Sequence, residues 1–323
     1  MTPAPEAPPR HDVSLGVLTA DQASFLGGFT FPSYGHMLTL EPTFRHPNLG
    51  DTHPILPLAV GAMVGTRIVG LALAEIPIEE RRTPELLSLF VEADFRNQGI
   101  GTALVRGVEG ELARRGFASL QAVWMTGRPE IVAVERIFAN CGWSAPTART
   151  LVVHFTPEEI ARVTWLTRCG YPGPAFEVFA WSDLRPEERR ALRASQAADH
   201  WIDAGFEPWL HEQGGFDAVS SMGLRYRHTV VGWVLNHRLD RKLVRFTCSF
   251  MRADLRRRGR IVPLFAESIR RLRTEGGVQC RFVTPVAFEN VVGFIRRRCA
   301  NVVSFVGETR GSTTRIVPTV QVA

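Results

Sequence analysis

Lysine is almost missing from this 323-residue chain: of 38 basic residues, only Lys242 is not an arginine. No run of about 18 apolar residues occurs, which excludes a membrane-spanning helix by length. The five cysteines (Cys141, Cys169, Cys248, Cys280, Cys299) are odd in number and widely spaced. That excludes a zinc-type cysteine pair and argues against a disulfide framework. The nine histidines contain no H-x-H or H-x-x-x-H, so no metal site is expected. Met1 to Arg10 holds four prolines and lacks the apolar centre of a signal peptide. Residues 1–11 are therefore expected to be a disordered tail. These absences lead to the expectation of a cytoplasmic, metal-free protein with no membrane partner.

What is present is ordinary globular composition, 45% hydrophobic and 22% charged. At roughly 150 residues per domain the length predicts about two domains. Charge is unevenly shared. Residues 1–170 carry 14 arginines against 17 acidic residues, whereas residues 171–323 carry 24 basic residues against 15 acidic ones. A basic half attracts polyanions such as nucleotides, phosphopantetheine or RNA, although a solvated arginine-rich surface has the same composition.

The chain also repeats itself. Ala93-Asp94-Phe95-Arg96-Asn97-Gln98-Gly99 aligns with Ala253-Asp254-Leu255-Arg256-Arg257-Arg258-Gly259 at an offset of 160, which also places Gly116 on Gly276. Upstream, Ile68 to Leu73 aligns with Val230 to Leu235 at an offset of 162, with Gly61 on Gly223. Two copies of one α/β unit are predicted, with a junction near Cys169-Gly170-Tyr171-Pro172-Gly173-Pro174. Each copy reads as a hairpin, a third strand, a helix, a strand, a helix and a closing strand. In the first copy the strands are 58–63, 67–74, 86–91, 119–124 and 149–154, with helices over 101–115 and 130–140. In the second they are 224–227, 230–235, 244–250, 279–283 and 302–306, with helices over 261–273 and 289–298. Antiparallel strands followed by a strand–helix–strand unit give an α+β fold, each domain a mixed, mostly antiparallel sheet flanked by helices. The expected boundaries are 12–155 for the first domain, 156–174 for a linker and 175–323 for the second.

The segment that carries chemistry runs from Leu87 to Leu104. A strand ends near Val91, a turn follows, and a helix starts near Gly101. Gly99 and Gly101 allow close backbone approach, and the first-turn amides of a helix lack internal partners at its positive end. With Arg96 this predicts a pyrophosphate cradle. A dinucleotide fingerprint fails because Leu104 stands where its third glycine belongs, and a Walker loop fails for want of Gly-Lys-Ser/Thr. The run R-x-x-G-x-G after a strand, followed by a helix ending Phe138-Ala139-Asn140-Cys141-Gly142-Trp143, resembles the GNAT acyltransferase family. The resemblance covers most of residues 12–155 in layout. It implies two tandem GNAT-like domains and an acyl-CoA, such as acetyl-CoA, as substrate. Leu89, Phe90 and Val91 would then hold the pantetheine arm. Arg96, Asn97, Gln98, Gly99, Ile100, Gly101 and Thr102 would hold the pyrophosphate, with Asn140 also at the cofactor. The family's usual acid, a tyrosine, is replaced by Phe138, which cannot donate a proton. Cys141 is expected to be a core thiol.

In the second copy Ile261 replaces the second glycine, which predicts a weakened CoA site. Asn290 resembles a pantetheine-contacting asparagine of the family, whereas the first copy has Ile131 there, and Arg297 offers no acid. For the acceptor, Glu75, Glu79, Glu80 and Glu85 lie on or between strands flanking the cleft. Glu75, taken as the one inside a strand, is the expected catalytic carboxylate. Trp201, Trp209 and Phe216 are expected to be aromatic core. The leading expectation is an acyl-CoA-dependent N-acetyltransferase in which a small-molecule amine attacks the thioester directly. Two alternatives stay open: an aminoacyl-tRNA-dependent transferase using the basic C-terminal half for RNA, and a non-catalytic binder of acyl-CoA or a carrier protein.

Overall fold

A computed structural model describes residues 12–45, 53–79 and 82–317. The expectations for residues 1–11 and for Glu80 fall outside them. The chain divides into two units, residues 1–148 with 309–323, and residues 149–308.

In unit 1 the chain runs β1 (Ser14–Val17), α1 (Ala20–Ser24), β2 (Thr43–Phe44), β3 (Pro54–Val64), β4 (Arg67–Pro77), β5 (Glu85–Val91), α2 (Ile100–Arg114), β6 (Ser119–Met125) and α3 (Ile131–Asn140). β7 (Thr147–Phe155) crosses the unit boundary. Unit 2 adds α4 (Pro157–Ala161), α5 (Thr164–Thr167), β8 (Phe176–Ala180), α6 (Pro186–Asp199), β9 (Met222–Tyr226), β10 (Thr229–Asp240) and β11 (Leu243–Met251). It continues with α7 (Ala253–Arg256), α8 (Val262–Arg273), β12 (Gln279–Pro285) and α9 (Glu289–Arg298), and β13 (Phe305–Arg315) closes the chain.

The strands of the two units follow one topology. Unit 1 pairs β1-β3-β4-β5 antiparallel, β5-β6 parallel and β6-β13 antiparallel. Unit 2 pairs β8-β9-β10-β11 antiparallel, β11-β12 parallel and β12-β7 antiparallel. Even the irregularities repeat. β4 and β5 slip register between Leu73 and Ala74, which leaves Leu87 without a partner on β4. β10 and β11 slip at the equivalent Leu235 and Asn236, which leaves Thr247. Such a bulge bends its strand and re-aims the side chains beside it. The glycines aligned by sequence have a shared packing reason: a Cβ on Gly61 would meet Leu18 at 2.5 Å, and one on Gly223 would meet Phe179 at 2.2 Å.

Helix periodicity builds the cores. Leu104, Val108 and Leu112 fall four residues apart on α2 and are completely buried against β3, β4 and β6. Leu264 and Leu272 do the same for α8 in unit 2. Each such side chain contributes about 1.5–3 kcal/mol on burial.

The unit boundaries differ from those expected. Residues 149–155 of β7 pair with β12 inside unit 2, and residues 309–315 of β13 pair with β6 inside unit 1, from Ser119 opposite Arg315 to Met125 opposite Thr309. Each sequence copy thus supplies the closing strand of the other unit. The segment read as a linker instead forms α4 and α5, and Ile160, Val163 and Leu166 join the unit 2 core. The last strand begins at Phe305, beyond the expected 302–306, because Val302 and Val303 close a turn on Cys299.

A chain cut after residue 174 loses β13 and Ile316, leaving the edge of β6 unpaired. It is expected to aggregate and to show no cooperative thermal transition; a sharp transition matching that of the full-length chain would contradict the exchanged strands.

Candidate functional site

The turn between β5 and α2 is set by two residues in the left-handed region, Asn97 (φ 62°) and Gly99 (φ 83°). Asn tolerates that region better than most side chains, and glycine enters it freely. Between them the chain turns so that the amides of Gln98, Gly99, Ile100, Gly101 and Thr102 find no acceptor among the described residues. The first α2 bond is Ala103 N–H to the Gly99 carbonyl. Free amides at a helix N-terminus are the kind of geometry that can take an anion. The Arg96 Nε donates to the Val91 carbonyl at 3.0 Å, tying the turn to the strand end.

Gly101 also has a packing reason. A Cβ there would lie 2.7 Å from Ile137 Cδ1, so the glycine lets α3 pack directly on the first turn of α2. Asn140 ends α3 at an exposed position, and the adjacent Cys141 thiol lies 3.8 Å from the Thr102 carbonyl. Burial pushes that thiol's pKa up, as befits an inert packed group. Phe138 is buried, its ring stacked on Trp143 at 4.4 Å and tilted on Trp124 at 5.1 Å.

Along β5 a second feature opens. β5 and β6 pair only at Glu85 with Gln121 and Leu86 with Ala122, although both strands run on. From Leu87 to Val91, including Leu89 and Phe90, the edge of β5 facing β6 has no strand neighbour among the described residues. Such an edge accepts an extended chain by strand addition. From Glu85 to Val91 the strand spans about 20 Å at about 3.3 Å per residue.

At the far end of that edge lies a charged cluster that the sequence reading only partly located. Glu75 and Glu85 are cross-strand partners, both 7% exposed. Arg45 bridges them, with its Nε 2.6 Å from Glu75 Oε2 and its Nη2 3.1 Å from Glu85 Oε2. Gln121 donates to Glu85 at 3.1 Å. Glu85 is the first residue of β5, which corrects the expectation that Glu75 alone sits in a strand. Burial works against the charge on Arg45, yet hydrogen bonding to Glu75 and the charges of both carboxylates hold its pKa above the ordinary value. Tyr34 lies within the field of the same three groups, and burial raises its hydroxyl's pKa. A cavity of about 230 Å³ opens on Glu75, Gln121, His53, Glu79, Arg82 and Thr83. Arg45 and Tyr34 were missed because the short elements holding or flanking them carry no strong apolar period and Arg45 is 30 residues from Glu75 in sequence.

In unit 2 the matching turn is closed. Arg257, aligned with Asn97, is right-handed helical. The amides of Arg258, Gly259, Arg260 and Val262 donate to the carbonyls of Leu255, Arg256, Leu255 and Gly259. The two turns thus differ in backbone hydrogen bonding as well as in Ile261 standing where unit 1 has Gly101. Asn290 is exposed at the start of α9, and Arg297 folds against Gly293. Trp201, Trp209 and Phe216 pack on the core cluster around Trp233. The arginine clusters are partly neutralised at home, with Arg256 on Asp203 at 2.6 Å, Arg270 on Glu267 at 2.7 Å and Arg296 on Glu308 at 3.6 Å. No helix among the described residues is long and apolar enough to cross a membrane.

Comparison with known proteins agrees with this geometry. Residues 26–137 match the model of the Acetyltransferase (GNAT) family. No curated protein sequence matches the chain. Among solved structures, a tandem GNAT protein from the clavulanic acid biosynthesis pathway aligns over 95% of this chain and 100% of its own, with TM-score 0.60 and 13% identity. A GCN5-related N-acetyltransferase from Sphaerobacter thermophilus aligns over 81% and 82%, with TM-score 0.53 and 18% identity. A GCN5-related glucosamine N-acetyltransferase region of a fungal GH3 β-N-acetylglucosaminidase covers 94% of this chain but 38% of that one, with TM-score 0.55 and 14% identity. Residues 26–137 thus carry a GNAT acetyltransferase domain, and the chain as a whole has the fold of a tandem GNAT protein.

The Phe138 environment generates a test. Phe138→Tyr places a hydroxyl between two tryptophans and is expected to cost about 1–3 kcal/mol of stability, the penalty for an unsatisfied buried polar group. Thermal unfolding checks it, and an unchanged midpoint would show that the ring has access to water or to a partner.

Proposed function

We propose that unit 1 binds acyl-CoA and transfers its acyl group directly to the amine of a small molecule. The observation that carries this reading is the set of five unclaimed amides from Gln98 to Thr102, placed at one end of the unpaired β5 edge. The pyrophosphate rests on those amides near Arg96, and the pantetheine arm runs along Leu87 to Val91 as an added strand. The thioester then points toward the Glu75–Glu85 pair.

Two carboxylates against the one Arg45 guanidinium leave a net negative charge, which draws a cationic acceptor into the cavity beside Gln121. The acceptor must lose a proton before it attacks. Its nitrogen then bonds to the carbonyl carbon, the C–S bond breaks, and the thiolate leaves. Glu75 or Glu85 receives the amine proton, directly or through water. Phe138 contributes nothing to the leaving group. Tyr34, the only tyrosine in unit 1 and a neighbour of the Arg45–Glu75–Glu85 cluster, is the proton donor we assign to the thiolate, since a phenol is protonated at neutral pH. No covalent enzyme intermediate is involved, since Cys141 is a packed thiol beside a carbonyl.

The test is thiol release from acetyl-CoA across a panel of primary amines. Glu75→Gln and Glu85→Gln are expected to lower kcat by about 10²–10⁴, the range for a positioned acid or base, while acetyl-CoA affinity holds. Thiol release by wild type with no amine, or kcat unaffected in both variants, would remove the carboxylate pair from the reaction. Tight acetyl-CoA binding with no amine turned over would favour the non-catalytic binder, a reading to which the loss of a tyrosine at Phe138 lends weight.

A further inference from the structure

Unit 2 holds a second polar row at the place where unit 1 holds its carboxylate pair. By the offsets that align the copies, His237 stands for Glu75, Arg245 for Glu85 and Arg281 for Gln121. The strand register agrees: His237 pairs with Arg245, Arg245 with Arg281, and Arg281 with His154. Cross-strand partners share a sheet face, so four side chains able to carry positive charge line up across β10, β11, β12 and β7. Their neighbours Phe246, Cys280, Phe282, Val153 and Phe155 belong to the core cluster beneath α8 and α9. The row therefore lies on the opposite face, where Phe216 contacts His237 at 5.2 Å.

Like charges directly opposite one another destabilise a sheet unless something compensates them. In unit 1 the compensation is visible, Arg45 lying between two carboxylates. In unit 2 it is missing. Neither Arg245 nor Arg281 has a side-chain hydrogen bond or ion pair among the described residues, and Arg281 Nε and His154 Nε2 are buried without partners. Burial, and then the charge of Arg281, push the pKa of Arg245 down with no carboxylate opposing them. Burial and Arg281 likewise lower that of His154. The acidic groups of the covering segment are engaged elsewhere, Glu212 on Arg189 and Asp217 on Arg238 at 2.7 Å. His237 itself is satisfied, with Nδ1 2.8 Å from Thr247 Oγ1 and Nε2 3.0 Å from the His211 carbonyl, and so forms a fixed wall.

We propose that this row is an oxyanion-binding site, in which the guanidinium groups of Arg245 and Arg281, with His154 Nε2 as a further polar contact, take the carboxylate or phosphate group of a small molecule. Two adjacent guanidinium forks suit the bidentate geometry of either oxyanion. The closed turn before α8 sets this ligand apart from the acyl-CoA of unit 1. The inference rests on unit 2 alone and stands whether or not unit 1 transfers acyl groups.

The experiment uses the full-length protein without acetyl-CoA, titrated with inorganic phosphate and separately with succinate, against sodium chloride of equal ionic strength. Calorimetry and thermal unfolding are read for wild type, Arg245→Met and Arg281→Met, with Arg245→Gln and Arg281→Gln as a second pair should a methionine variant not fold. The expected result is saturable binding of at least one anion by wild type, with a raised midpoint. Each variant weakens that binding by about tenfold or more, as loss of a charge-assisted hydrogen bond dictates. Without ligand the variants unfold at or above the wild-type midpoint, because repulsion between buried charges is relieved. A response to phosphate alone assigns a phosphoryl ligand, and one to succinate alone a carboxylate. Any binding in unit 1 persists in all the variants and drops out of the difference. Equal anion responses in wild type and variants, or no response beyond that to chloride, would overturn the proposal.

Discussion

The structure of the site in unit 1 depends on a few residues of backbone held in an unusual conformation. Asn97 and Gly99 both adopt positive φ, and that geometry points successive amides away from carbonyls that would otherwise take them. In unit 2, where arginine replaces the asparagine, the chain relaxes into a helical turn and four of the five equivalent amides are consumed internally. A buried or half-buried amide without a partner is costly, so an open set of five is stable only if a ligand or water completes it. The difference between the copies therefore lies in backbone hydrogen bonding, with side chains acting mainly by choosing the backbone path.

Around that turn the fold supplies direction. The bulge at Leu87 and the divergence of β5 from β6 after Leu86 occur one after the other, so the strand carrying the cradle loses its neighbour just beyond Glu85. Both irregularities recur at Thr247 and Phe246. Duplication preserved the scaffold, including its defects, while the side chains at the root of the notch diverged from a carboxylate pair bridged by Arg45 to a row of two arginines and two histidines. One architecture thus presents different charge at equivalent positions of its two copies.

Much of this was legible in the sequence, because strand alternation and the 3.6-residue helix period are local signals. The hairpin of β3 and β4 and the helices α2, α3, α8 and α9 lie where the apolar pattern places them. What local patterns do not carry is partner choice. Nothing local in β7 or β13 says that it closes the other copy's sheet. Glu85 follows Pro84 at the start of its strand and so reads as loop, and only the register with Glu75 shows it to be buried. Arg45 approaches from a segment that has no periodicity at all. For Gly101 the sequence carries no sign of a second role that the structure shows: the space it leaves is filled by Ile137. The inverted charge of unit 2 was present in the sequence as His237, Arg245 and Arg281, but they become neighbours only once the strands are paired.

The most direct measurement is the stoichiometry of acetyl-CoA on the full-length chain by titration calorimetry. One site per chain, unaffected by Ile261→Asp, is the result that an open turn in unit 1 and a closed one in unit 2 require. Two equivalent sites, or a single site lost on changing Ile261, would contradict it.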